Sequence, residues 1–358
     1  MALGVLALTG CGGSELRGDV LIRADRVFDG ERTIEPGALL LRGGEIAAVG
    51  EELDAQAERT FDLGDATVLP GFIDLHTHVN DPVMLRGGVT TVRNLGWPLA
   101  ALRPPGRYGG LRVLMAGPIV TVPDGYPIPA WAPEIALPVR GAADARRAVR
   151  ILVGRGAAVV KIALEPRFGP MLDLAEIRAI VDEAHRHDRL VTAHVSGHGG
   201  TILAVEAGVD ELAHMPCGSI GDAVLRSVVE AGIEVVATLD TIKGYGTICG
   251  DPVRDAARFV ELGGTLLYGS DVPNVRVTGI DAEELRLLRE AGLTPEAVLS
   301  AGTSRAGEQV GLDPLGTLTA GAPADVIAVR GDARALRDDL ARPLLVVAGG
   351  RIVRAPRG

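Results

Sequence analysis

The sequence predicts an α/β protein, a (β/α)8 TIM barrel with a small β-sandwich formed by the N- and C-terminal segments. Three features carry that expectation. Short apolar runs alternate with amphipathic stretches through the middle of the 358 residues, eight such runs can be counted, and both ends instead read as short alternating strands with turns between them. The expected division is 19–68 with 312–358 as a composite β-sandwich domain and 69–311 as the barrel.

Taken in order, residues 19–65 contain VLIRADRVFDG, GALLLRGGEIAAVG and RTFDLGDATVLPG, where period-two alternation and Gly- or Asp-rich turns suit hairpins rather than βα units. Eight strands are then expected at Leu69–Leu75, Val89–Arg93, Leu111–Ala116, Ala158–Ile162, Leu190–Ala193, Asp210–Ala213, Ile233–Leu239 and Thr265–Gly269. Helices are expected over Ala142–Val153, Leu174–His187, Asp222–Ala231, Asp251–Glu261 and Asp281–Ala291, several closed by Gly. The segment Thr317 to Arg354 returns to the hairpin style in ADVIAVRGD and LLVVAGGRIVRA.

Composition narrows the function. With 46 acidic against 36 basic residues the net charge is −10, which argues against nucleic acid or an anionic membrane as partner and for a small-molecule substrate. No apolar run is long enough for a transmembrane span. Three cysteines, Cys11, Cys217 and Cys249, odd in number and far apart, argue against a disulfide framework and give no zinc-finger spacing. The opening MALGVLALTGCGGS resembles a bacterial lipoprotein signal ending at Cys11, the residue that would be lipidated, yet the first basic residue is Arg17. Residues 1–18 are therefore read either as part of a signal and tether, giving a cell-envelope lipoprotein, or as an accidental likeness in a cytoplasmic protein.

A parallel barrel carries its chemistry at the C-terminal ends of its strands. Polar residues at those ends are the site candidates. VLPGFIDLHTH places His76 and His78 on one face of the first strand, a geometry suited to a divalent metal. Lys161 lies within an apolar run on strand four, where an unpaired ammonium is costly, so it either reaches solvent, pairs with Glu165, or serves chemistry. Strands five, six and eight end in His194, His214 and Asp271. Each alone has a structural explanation, a satisfied histidine or a helix cap; the conjunction at one end of one barrel points to a metal site.

As a set, His76-Thr-His78, Lys161, His194, His214 and Asp271 resemble the amidohydrolase superfamily in its binuclear form, and GGVTTVRNLG, EAGVDELAHM and AGLTPEAVLSAGTSRAGEQVGL extend the likeness over nearly the whole chain. The resemblance implies two divalent metal ions, Zn2+ or else Mn2+, Co2+ or Fe2+, bridged by a CO2-derived carbamate on Lys161. His76, His78 and Asp271 would hold the more buried ion, and His194 and His214 the exposed one. It implies hydrolysis of a C–N amide bond by a metal-bridging hydroxide, with Asp271 as the proton shuttle. TTVRNLG, VVKIAL and AHVSGHGG are similar to the imidazolonepropionase-related subgroup, which includes prolidase-like dipeptidases. The stretch Val79 to Leu85 is short where those dipeptidases carry a helical insertion, and Asn94 stands where the family more often has Asp.

A dipeptide, an N-acyl amino acid and a cyclic amide all remain open as substrates, as do lactone, ester or phosphotriester hydrolysis on the same ligands. Mononuclear deamination ranks lower, because VSGHGG after His194 has no Glu and Lys161 would be left unexplained. Three further residues are candidates for substrate contact. Arg93 meets a substrate carboxylate or clamps loops; His198 donates to a substrate carbonyl or is solvated; Asp240 meets a substrate amine or caps a helix. Tyr126 and Trp131, in GYPIPAWAP, are read as a lid; the resemblance leaves the oligomeric state open, with a homo-oligomer as one option.

Overall fold

The computed structural model describes residues 16–130, 132–218 and 220–356. Cys11 and Trp131 lie outside the described residues, and with them the lipidation expectation and half of the lid expectation.

The apolar run around Val68–Leu75 is not one strand. Pro70 and Gly71 divide it into Ala66–Pro70 and Phe72–Thr77, which belong to different sheets. A side chain at position 71 would stand 2.3 Å from the Thr90 hydroxyl, so glycine lets the chain pass between the two layers. Ala66–Pro70 pairs antiparallel with Val326–Arg330, tying the N-terminal segment to the C-terminal one. These two lie in a six-stranded sheet beside a separate four-stranded sheet whose members are Glu45–Gly50, Gly37–Arg42, Leu16–Ala24 and Ala55–Asp62. Val20, Ile22, Leu39 and Leu41 of the smaller sheet share one apolar core with Val68, Val326, Ala328 and Val347 of the larger.

The middle of the chain is parallel α/β. Phe72–Thr77, Val89–Asn94 and Leu111–Met115 run parallel in one sheet. Val160–Leu164, Val191–Val195, Glu211–Leu212, Glu234–Val236 and Leu266–Leu267 run parallel in another. Hydrogen bonds join the two sheets at both edges, from Ala158 N to Met115 O at 2.8 Å on one side, and from Leu75 N to Tyr268 O at 3.3 Å and Asp271 N to His76 O at 2.7 Å on the other. The expected helices form within a residue or two of their predicted bounds. Leu174–His185 starts at a capping box in which Asp173 and Glu176 bond each other's backbone, and it buries Ile177, Ile180 and Val181 against the sheet.

Candidate metal centre

The strand ends bring all six expected ligands to one cavity. His76, His78, Lys161, His194, His214 and Asp271 line it, together with Ile119, Tyr126, Ile242, Tyr245 and Asn274. His76 and His78 leave the same face of Phe72–Thr77, their Nε2 atoms 3.4 and 3.2 Å from Asp271 Oδ1. Potential ligand atoms of His76, His214 and Asp271 all lie within 4.8 Å of one another. Asp271 holds a left-handed backbone, φ 58°, fixed by its N–H bond to His76 O at 2.7 Å. Such conformations are uncommon in non-glycine residues and collect at functional sites. Thr238, also left-handed at φ 45°, sets its hydroxyl 2.8 Å from His214 Nδ1.

The donor set fits a cation. His76 Nδ1 lies 2.7 Å from Ala213 O. A carbonyl can only accept, so this nitrogen carries the proton and Nε2 keeps a lone pair. Burial holds the imidazoles of His76, His214 and His194 below the usual histidine range, with the nearby Lys161 charge acting in the same direction. Burial also pushes the Lys161 amine down to about 7; Asp271 and Glu211 oppose the shift and Arg93 adds to it. Among the described residues, His76 Nε2, Lys161 Nζ and Asp271 Oδ1 have no hydrogen-bond partner. Three orphaned atoms of complementary kind in one buried cavity are what removal of a bound cation would leave.

The Amidohydrolase family profile matches residues 82–353, about three quarters of the chain, beginning just beyond the His76–His78 pair. The chain belongs to the Amidohydrolase family. Among individual relatives it is 30% identical to the ochratoxinase of Aspergillus niger over 216 residues, 53% of this chain and 44% of that protein, so the match spans less than half of the relative's length. It is 28% identical to the imidazolonepropionase of Deinococcus radiodurans over 355 residues, covering 83% of this chain and 86% of that one. A crystal structure of a putative prolidase from Bifidobacterium longum superposes with a TM-score of 0.80 at 25% identity, over 95% of this chain and 96% of that one.

In this amidohydrolase the three expected substrate contacts stand elsewhere. Arg93 is fully buried: Nη1 and Nη2 meet Glu211 at 3.1 and 2.5 Å and Nε donates to Leu75 O at 2.8 Å, so it is the clamp rather than a carboxylate receptor. His198 is exposed in the first turn of Gly197–Ala207 and does not line the cavity. Asp240 lies among Asp281, Glu283 and Lys243, and burial with the Glu283 charge raises its carboxyl; it too is absent from the cavity wall. The cysteine expectation is also corrected, since Cys217 and Cys249 form a disulfide across 32 residues. Sequence distance does not bound spatial distance, and adjacent strands bring the two following loops together.

Several site residues were absent from the expected ligands and substrate contacts. Glu165, read as a partner for Lys161, instead bonds Arg167 and His194. Asn274 donates to Asp271 Oδ2 at 3.0 Å. Tyr126 stacks on His194 with ring centroids 4.7 Å apart. Arg167, Phe168 and Ile248 line an adjoining cavity that shares Tyr126, His194, His214, Ile242 and Tyr245 with the first. Glu165, four positions beyond Lys161 on the same strand face, was the one findable by period-two reasoning.

Proposed function

We propose that this chain is a binuclear metal-dependent hydrolase that cleaves a C–N amide bond of a small molecule: a dipeptide, an N-acyl amino acid or a cyclic amide. The observation that carries the reading is the convergence of six ligand-type side chains on one cavity with complementary orphaned atoms. His76, His78 and Asp271 would hold one ion and His194 and His214 the other, with Lys161 between them as a carbamate. The lowering of the Lys161 amine by burial supports that modification, because the neutral amine and CO2 combine to a carbamate with release of one proton. Bound there, divalent metals such as Zn2+ supply an activated water and polarise the scissile carbonyl.

The chain's own residues do the rest. Asn274 anchors one Asp271 oxygen and leaves the other free, so Asp271 can take a proton from the attacking water and return it to the leaving nitrogen. Ile119, Ile242, Tyr126 and Tyr245 line the cavity around that exchange. We also read the eight parallel strands as a closed barrel and the two terminal sheets as a sandwich, supported by the hydrogen bonds at both edges and the shared core. The Cys217–Cys249 disulfide supports a site of action outside a reducing cytoplasm, in line with the lipoprotein-like N-terminus.

Metal analysis with a screen of dipeptides, N-acyl amino acids, cyclic amides and lactones tests the reading. About two ions per chain with turnover of one amide class is expected; a single ion would remove the Lys161 bridge. Lys161→Ala should lose metal and activity together and regain part of both with a short carboxylic acid. Unchanged metal content in that variant would sink the bridging role.

A further inference from the structure

Three of the four cavity histidines, His76, His194 and His214, are not anchored alike. His76 is held by a backbone carbonyl and His214 by the Thr238 hydroxyl, both neutral groups. His194 has a carboxylate. Glu165 Oε2 stands 3.5 Å from His194 Nε2, and the Glu165 side chain is 1% exposed. Its charge is countered by Arg167, whose backbone N, Nε and Nη2 donate to it at 3.0, 2.9 and 2.8 Å. Tyr126 lies on the face of the same imidazole at 4.7 Å and 20° between planes, while His214 meets it edge-on at 4.9 Å. The ring is therefore held at one nitrogen and on two sides.

We propose that Glu165 is a positioning residue for His194: by accepting a hydrogen bond from Nε2–H it fixes the tautomer and presents Nδ1, with its lone pair, to the metal cavity. An ionised carboxylate can only accept, so it selects the Nε2–H form where a hydroxyl, able to donate or accept, would not. Arg167 lets the carboxylate stay ionised although buried. His194 is outside the tight His76, His214 and Asp271 group. Loss of Glu165 should weaken the ion assigned to His194 and His214 and spare the one assigned to His76, His78 and Asp271.

The inference rests on the metal reading above, and two measurements separate their failures. Zinc alone is titrated by calorimetry into the metal-stripped full chain, and the His194 tautomer is read by nitrogen NMR of histidine-labelled protein. Wild type should bind two equivalents and show Nε2–H at His194. Glu165→Ala should keep the first equivalent, bind the second about 10- to 100-fold more weakly, and show a mixed tautomer. Glu165→Gln keeps the shape with a group that both donates and accepts, so it should mix the tautomers with a smaller loss of affinity, and it decides the matter if Glu165→Ala does not fold. Unchanged zinc affinities and an unchanged tautomer in either folded variant would overturn the role of Glu165. A wild type that binds fewer than two equivalents while the tautomer still responds would overturn the binuclear reading instead.

Discussion

Two polar clusters lie buried among the parallel strands, and they are built in opposite ways. Glu211 takes both Arg93 nitrogens, the Thr192 hydroxyl at 2.7 Å and Gln309 Nε2 at 2.9 Å, so each of its oxygens accepts twice. The cluster of His76, Lys161 and Asp271 leaves an orphaned atom on each member. Lys161 and Glu211 both register against Thr192, so the contrast is not one of region or burial. A closed network of donors and acceptors is structural; an open one, with lone pairs facing an amine, marks a place for something else.

The comparison can be broken by experiment. The largest effect is expected at the open cluster. Asp271→Asn keeps the shape but removes the proton acceptor, and kcat should fall about 10^2- to 10^4-fold with the melting temperature little changed; a rate within a few-fold of wild type would deny Asp271 the shuttle. At the closed cluster the effect should be on stability. Arg93→Met leaves the Glu211 charge buried without its partner, and chemical denaturation should show a loss of roughly 3–5 kcal/mol. A stable Arg93→Met protein with only a raised KM would restore Arg93 as a substrate contact.

A third buried group sharpens the rule. Asp281 Oδ2 and Glu284 Oε1 also lack partners among the described residues, but their neighbours are acids rather than a cation. Burial, with the Asp240 charge, pushes the Asp281 carboxyl up to about 6, so this cluster is relieved by taking up a proton as pH falls. Because the folded value lies above the unfolded one, the protonated form favours the fold. That contribution is complete below about pH 4 and is lost as pH rises through about 6. Asp281→Asn retains an acceptor for the Glu283 and Glu284 amides and should flatten stability between pH 4 and 7 by on the order of 2 kcal/mol. Unaltered pH dependence of the melting temperature would refute this.

Much of the molecule was legible in advance where the signal is local. Strand and helix positions follow from side-chain period, and His76, His78, Lys161, His194, His214 and Asp271 were findable because strand ends mark the functional face. The division of Val68–Leu75 at Gly71 was not, since both halves are equally apolar and only their partners differ.

The sequence by itself determined the rhythm of elements and the chemical types offered to the cavity. Tertiary structure alone decided which side chains meet. Arg93 meets Glu211 across 118 residues, Glu165 meets His194 across 29, and Cys217 meets Cys249 across 32. Periodicity is a property of one segment, whereas pairing depends on strand order and register, which no single segment encodes.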